Sequence, residues 1–177
     1  MMTSQTEMKM TKMLEPTLEE IREEAVITKR ILDRVPADQL AWKPHQKSMS
    51  LGQLALHVAT IPGNLTKLLQ QDGFDVSQAN FNPPSPNTIE EIHAAHDQSV
   101  RAAEDFLSGM SEQTALASWR LTMKGQPISS KPRIAVLRSI MLNHWYHHRG
   151  QLSVYLRLLE VPVPVIYGRS ADENPFG

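Results

Sequence analysis

The sequence predicts an all-α protein, a four-helix bundle with long connections and a non-helical C-terminal tail. Four stretches carry apolar residues at intervals of three and four, the period of one face of an α-helix. Segments rich in proline, glycine and polar residues separate these stretches, and prolines after residue 160 exclude a helix there. Amphipathic helices joined in this way are typical of a bundle.

Composition restricts the domain organisation and the class of function. The 177 residues predict one domain over residues 16–177, preceded by a flexible N-terminus over residues 1–15. A formal net charge of −1, with no dense basic cluster, argues against a nucleic-acid partner. The chain has no cysteine, which excludes a disulfide framework, a thiolate nucleophile of its own and a cysteine-ligated zinc. No signal peptide and no run of about 18 apolar residues is present, so we expect a soluble, cytoplasmic protein without a membrane partner.

The first helix is predicted to start at Thr17, a residue suited to capping, and to end before Pro36. Its inward face carries apolar residues at helical spacing. Residues 35–49 then form an ordered connection, in which His45 beside a proline is expected to be exposed.

The second helix carries the first candidate functional residue, His57. Ser50 and Gln53 have the spacing of a capping box and predict its start. His57 falls on, or at the edge of, the apolar face. Pro62, followed by Gly63, is expected to kink the helix just beyond it.

The third helix follows a segment, residues 71–86, whose many chain-breaking residues predict a loop. Asn87 and Glu90 have the spacing of a second capping box. His93 and His96 lie on this helix and are weaker candidates for a metal ligand than His57, since an ordinary amphipathic helix explains both.

A short hairpin turning at residues 124–125 is predicted before the last long helix, which starts at Pro132 and reaches about residue 160. Gly150 in the middle of this helix costs about 1 kcal/mol relative to alanine, so we expect another backbone to approach it closely. The tail over residues 161–173 is expected to lie across the bundle.

Two histidines of the last helix are the centre of the functional interpretation. His144 and His148 are four residues apart and leave the same helical face. They lie in a stripe that is predicted to face the core, where an unsatisfied imidazole is costly. Hydrogen bonds inside the core or a bound metal ion would both satisfy them, and the pair alone leaves the two readings open. The stripe consists of Ile134, Leu137, Met141, His144, His148, Leu152, Tyr155 and Leu159.

Four segments resemble the DinB family of metal-dependent four-helix proteins: WKP (42–44), SLGQLALH (50–57), HWYHHRGQ (144–151) and VPVIYGRSADE (163–173). The resemblance extends from residue 32 to residue 173 and implies that His57, His144 and His148 hold a divalent metal ion. Three neutral imidazoles suit zinc first, with nickel, iron or copper as alternatives, and they leave a coordination position open.

The resemblance also implies a function, a thiol S-transferase that acts on a small-molecule substrate and uses a low-molecular-weight thiol. A metal-dependent hydrolase and a non-catalytic, stress-related metal-binding protein are the alternatives. A homodimer is implied as well. Trp145 and Leu142 lie off the histidine stripe and are either exposed at the dimer interface or packed beneath the tail.

Overall fold

Helices make up most of the structure, a computed structural model that describes residues 12–176. The four long helices are α1 (Glu15–Leu32), α2 (Leu51–Leu69), α3 (Ile89–Ser108) and α6 (Asn143–Leu158). Shorter elements are α4 (Glu112–Leu116), α5 (Arg133–Val136), a π-helical segment (Leu137–Leu142) and 3-10 turns at Ala37–Gln39 and Val76–Gln78. Most of the predicted flexible N-terminus, residues 1–11, lies outside the described residues.

The prediction of an all-α fold is wrong in one respect, because a small three-stranded sheet is present. Strand β1 (Gly73–Asp75) pairs in parallel with β2 (Ser118–Met123), which pairs antiparallel with β3 (Gln126–Pro132). The hairpin between β2 and β3 is confirmed, with Lys124 and Gly125 both at positive φ. The predicted loop over residues 71–86 is therefore wrong at β1.

A carboxylate links β1 to the hairpin turn. Asp75 Oδ1 accepts a hydrogen bond of 2.9 Å from the backbone N–H of Lys124, and its Oδ2 accepts one of 2.7 Å from the N–H of Gly125. These partners are about fifty positions apart in sequence, so no local pattern reveals the pairing.

The long helices pack into the bundle around one apolar core. Helix α2 packs against α3 and α6, while α1 packs against α3, α2 and α6. A Cβ atom at Gly63 would lie 3.0 Å from Ser99 Cα, so glycine allows the close approach of α2 and α3. The N–H of Gly63 donates to Ser99 Oγ at 2.8 Å, and α2 continues as a helix through Pro62.

Helix α1 begins three residues earlier than predicted, because its N-cap is Leu14 and not Thr17. It starts at Glu15, with a proline in its first turn, and Leu14 precedes it with a fully buried side chain. Proline lacks the N–H that the first turn leaves unpaired, so it suits this position, and Thr17 is not the cap.

The N-cap of α3 lies one residue after the predicted one, so the predicted capping box of Asn87 and Glu90 is wrong. Thr88 is the N-cap, and its hydroxyl accepts a hydrogen bond from the N–H of Glu91. The Glu91 carboxylate in turn accepts from the N–H of Asn87 at 2.9 Å.

For the last helix, one of two open alternatives is excluded and one expectation is wrong. Trp145 and Leu142 are completely buried and cannot supply a dimer interface, so the predicted homodimer loses the residues that motivated it. A Cβ atom at Gly150 would meet no atom within 4 Å, so no other backbone approaches this glycine. Gly150 lies on the solvent side of α6.

The non-helical tail lies across the bundle as predicted, and ion pairs hold it there. Glu173 accepts hydrogen bonds from Arg30 at 2.7 Å and Arg34 at 2.9 Å, both on α1. Asp172 pairs with Arg157 of α6 and also accepts from the N–H of Val163 at 2.8 Å. These contacts join the tail to both helices.

A buried charged cluster lies where α1, α6 and the tail meet. Arg149 is 1% exposed and forms an ion pair with Glu24 at 2.6 Å. Arg149 also donates to Thr28 Oγ1 at 3.1 Å and to the Tyr167 hydroxyl, which donates to Glu24 at 2.9 Å. Each member of the cluster therefore has a hydrogen-bonding partner.

None of the helices within residues 12–176 is long and apolar enough to span a bilayer. The cytoplasmic location, the single domain over residues 16–177 and the homodimer stay predictions.

Candidate metal centre

Helix α2 places His57 opposite α6. Its start is fixed by the predicted capping box, which is confirmed: Ser50 Oγ accepts from the N–H of Gln53 at 3.2 Å, and Gln53 Oε1 accepts from the N–H of Ser50 at 3.0 Å. Leu54, Val58 and Ile61 bury the core side of α2. His57 lies beside them, half-buried, at the edge of the apolar face.

His144 and His148 also lie at the edge of the core, not inside it. The core face of α6 runs instead through Trp145, Leu152 and Leu156, which are fully buried, while the two histidines are half-buried. The π-helical segment before α6 explains this difference, because it adds a residue to the turn and shifts the helical register that follows. The predicted stripe assumed an uninterrupted α-helix.

The three imidazoles of His57, His144 and His148 converge on one place. The Nε2 atoms of His57 and His144 are 3.1 Å apart. The His148 ring centroid lies 4.5 Å from that of His57 and 4.4 Å from that of His144. One ligand nitrogen of each histidine lies within 4.8 Å of the others, and this group can hold a metal ion.

Electrostatics keeps the group neutral near pH 7. Burial, and then the neighbouring His148, lowers the pKa of His57 from 6.5 to about 4. Burial and the same neighbour lower the pKa of His144 to about 4. The pKa of His148 is also lowered by burial, against the opposing effect of its hydrogen bond to Gln151. Neutral imidazoles have the free lone pair that a metal ion requires.

The donor set fits a divalent transition ion. Two nitrogens each about 2.0–2.1 Å from a tetrahedral zinc lie about 3.4 Å apart, close to the observed 3.1 Å between two Nε2 atoms. A hydrogen bond between these two nitrogens would satisfy one pair but would leave out the third imidazole. No Asp or Glu within residues 12–176 joins the three histidines, so the set is nitrogen-only and incomplete for a tetrahedral ion.

The other histidines lie apart from this group. His93 contacts Lys29 and Asp33, and His45 is exposed, as expected. His96 is 4% exposed, and its Nε2 has no hydrogen-bond partner in the described part of the chain. Neither His93 nor His96 reaches the three converging imidazoles, so the weaker candidates do not contribute to the group.

Two residues at the group were not predicted as site residues, although both belong to the motif HWYHHRGQ. His147 is exposed, and its ring centroid lies 4.9 Å from that of His148. Gln151 Oε1 lies 2.7 Å from His148 Nδ1. Gln151 lies three residues after His148, a spacing at which side chains of a helix contact each other, so the sequence contained the signal for this hydrogen bond.

Known proteins are similar to this chain over most of its length. The sequence profile of the DinB family matches residues 3–174. The uncharacterized protein YrdA of Bacillus subtilis strain 168 is 25% identical over 150 residues, which cover 85% of each chain.

Solved structures share the fold. A DinB-like protein from Bacillus cereus ATCC 10987 superposes with a TM-score of 0.67 at 22% identity, covering 87% of this chain and 97% of that one. The DinB-like protein YjoA of Bacillus subtilis also gives a TM-score of 0.67, at 16% identity, covering 88% of this chain and 100% of that one.

Proposed function

Because the chain belongs to the DinB family, we propose that it is a metal-dependent enzyme that activates a nucleophile at His57, His144 and His148. The observation that carries this proposal is the incomplete, half-buried donor set. Three neutral imidazoles hold an ion and leave a coordination position for a further ligand, as catalytic sites do, whereas structural zinc sites are closed by four protein ligands.

We propose zinc as the ion, with nickel or iron as alternatives, because imidazole nitrogen suits all three. When bound, such an ion supplies Lewis acidity that lowers the pKa of a thiol or of water. The residues of this chain contribute the neutral ligands and their orientation. The surrounding apolar side chains limit the access of solvent to one side of the group.

A thiol S-transferase is the activity that we favour. Such an enzyme forms a bond between the sulfur of a low-molecular-weight thiol, which loses its proton, and an electrophilic carbon of a second substrate, which releases its leaving group as an anion. The chain has no cysteine, so the sulfur has to come from a separate molecule. Hydrolysis at a His-Glu-x-x-His site uses an adjacent carboxylate as base, and no Asp or Glu within residues 12–176 joins this group.

The test is a metal-dependent thiol-consumption assay. Zinc-loaded and chelator-treated protein would be incubated with cysteine or glutathione and a small aryl halide, and the remaining thiol would be measured. We expect thiol loss only with the loaded protein, with abolition in His148→Ala and no change in the matched control His45→Ala, which alters an exposed histidine outside the group.

Two other outcomes would overturn the transferase. Hydrolysis of activated esters without thiol consumption would identify a hydrolase. Zinc binding with neither activity across a broad substrate panel would identify a non-catalytic metal-binding protein.

A further inference from the structure

Gln151 makes a contact that distinguishes His148 from the other two imidazoles. Its Oε1 lies 2.7 Å from His148 Nδ1, a short hydrogen bond between residues one helical turn apart. Nδ1 of His57 and Nδ1 of His144 have no hydrogen-bond partner within residues 12–176. These two rings contact each other through their Nε2 atoms. Within residues 12–176, His148 is thus the one member of the group whose ring is hydrogen-bonded to a side chain outside the group.

The hydrogen bond determines which ring nitrogen of His148 carries the proton. A neutral imidazole has one N–H and one lone pair, on opposite nitrogens. The amide oxygen of Gln151 can only accept, so the contact places the proton on Nδ1. The lone pair is then on Nε2, and a nitrogen needs this lone pair to bind a metal ion.

We propose that Gln151 is a positioning residue that fixes the ring and the tautomer of His148, with the proton on Nδ1 and Nε2 ready to bind the ion. This inference rests on the proposed function for its metal-binding consequence, but the tautomer is a property of the metal-free protein. Metal-ligating histidines commonly donate their second N–H to an oxygen acceptor, and such a partner improves both the orientation and the basicity of the ligand.

The remaining pair shows why this orientation matters. The distance of 3.1 Å between Nε2 of His57 and Nε2 of His144 fits a hydrogen bond in the metal-free protein, in which one of the two nitrogens carries the proton. That proton has to leave Nε2 before both can bind one ion. His148 needs no such rearrangement, so Gln151 prepares one ligand of the three in advance.

The first experiment reads the tautomer directly. Long-range proton–nitrogen correlation spectra of the metal-free protein separate the two neutral tautomers of each histidine. We expect His148 to carry its proton on Nδ1 in the wild type, and Gln151→Met, which keeps the side-chain length without an acceptor, to shift the population toward Nε2–H. An Nε2–H tautomer of His148 in the wild type would overturn the proposal.

The second experiment measures zinc affinity by competition with a chromogenic chelator. Loss of an outer partner costs about 10- to 100-fold in metal affinity, so Gln151→Met should bind zinc weaker by that factor. Gln151→Glu keeps an acceptor at this position and should bind at least as tightly as the wild type. Gln98→Met, at an exposed glutamine of α3, is the matched control and should bind like the wild type.

The outcomes separate the two proposals. Zinc binding by Gln151→Met that equals the wild type refutes the role of Gln151 and leaves the metal centre standing. Absence of zinc binding in the wild type refutes the metal centre, while the tautomer spectrum still decides whether Gln151 orients His148. Gln151 is exposed, so its variants should fold, which circular dichroism would check.

Discussion

Helix α6 has two polar clusters on neighbouring residues, and they differ in burial and in charge pairing. On one side, Arg149 is fully buried and its partners Glu24, Thr28 and Tyr167 complete a closed network. On the other side, His148 joins two imidazoles that are half-buried and lack a carboxylate. A buried, charge-paired network indicates a structural role, whereas half-buried, neutral imidazoles that converge on one place indicate a site for a ligand.

The largest effect on the free energy of unfolding should follow from breaking the buried cluster around Arg149. Arg149→Met leaves the Glu24 carboxylate without its cation in a place where that side chain is 11% exposed. Removal of one partner of a buried ion pair costs about 3–5 kcal/mol, so the free energy of unfolding should fall by that amount in urea titrations of the metal-free protein. The double variant Arg149→Met with Glu24→Gln should recover part of the loss. If Arg149→Met were as stable as the wild type, the cluster around Arg149 would have no structural role.

Acid should affect the histidine group and the tail in different pH ranges. His57 and His144 have folded pKa values of about 4, below the ordinary 6.5, so the unfolded chain binds their protons first. The free energy of unfolding should therefore decrease as the pH falls from about 6.5 to about 4.

The tail should respond only at lower pH. The N–H of Val165 and the nearby Arg30 and Arg34 hold the pKa of Glu173 below its ordinary 4.5. The stabilisation by these contacts is present above pH 4.5 and is lost as the pH falls through that lowered pKa.

Urea titrations at several pH values test the contribution of the histidines. Between pH 6.5 and 4, the free energy of unfolding should decrease less in His57→Ala than in the wild type. The control His45→Ala should behave like the wild type. An equal decrease in His57→Ala and the wild type would contradict the lowered pKa of His57.

The smallest effect concerns the solvent face of α6, which has neither cluster. Gly150→Ala should raise the free energy of unfolding by up to about 1 kcal/mol, because the added methyl group meets nothing within 4 Å. Gly63→Ala is the opposite case, since its Cβ would lie 3.0 Å from Ser99 Cα. Thermal unfolding of both variants would test this, and a destabilised Gly150→Ala would indicate a contact on that face.

Local periodicity was sufficient to predict the four long helices and the shared face of His144 and His148, and the resemblance to the DinB family added His57 to the set. The spacing of His144 and His148 places both on one face of any helix, and the residues around His57 mark its helix by a capping box that the structure confirms. Information of this kind is contained within a few turns of the chain, which is why the sequence sufficed.

Features that depend on distant contacts could not be predicted in the same way. Strand β1 is three residues long and is fixed by the bonds of Asp75 to a turn about fifty residues later. The π-helical segment over Leu137–Leu142 has no local signature here, and its extra residue moved the core face from the histidines to Trp145. The partners of Arg149 come from two separate parts of the chain, helix α1 and the tail.

The central claim is that His57, His144 and His148 together hold one divalent ion. The most direct measurement is a zinc titration, followed by calorimetry, of tag-free and metal-free protein as the wild type and as the triple variant His57→Ala, His144→Ala, His148→Ala. The account predicts one zinc per wild-type chain and none for the triple variant, with circular dichroism showing that the variant remains helical. One zinc bound by the triple variant with wild-type affinity would contradict the claim.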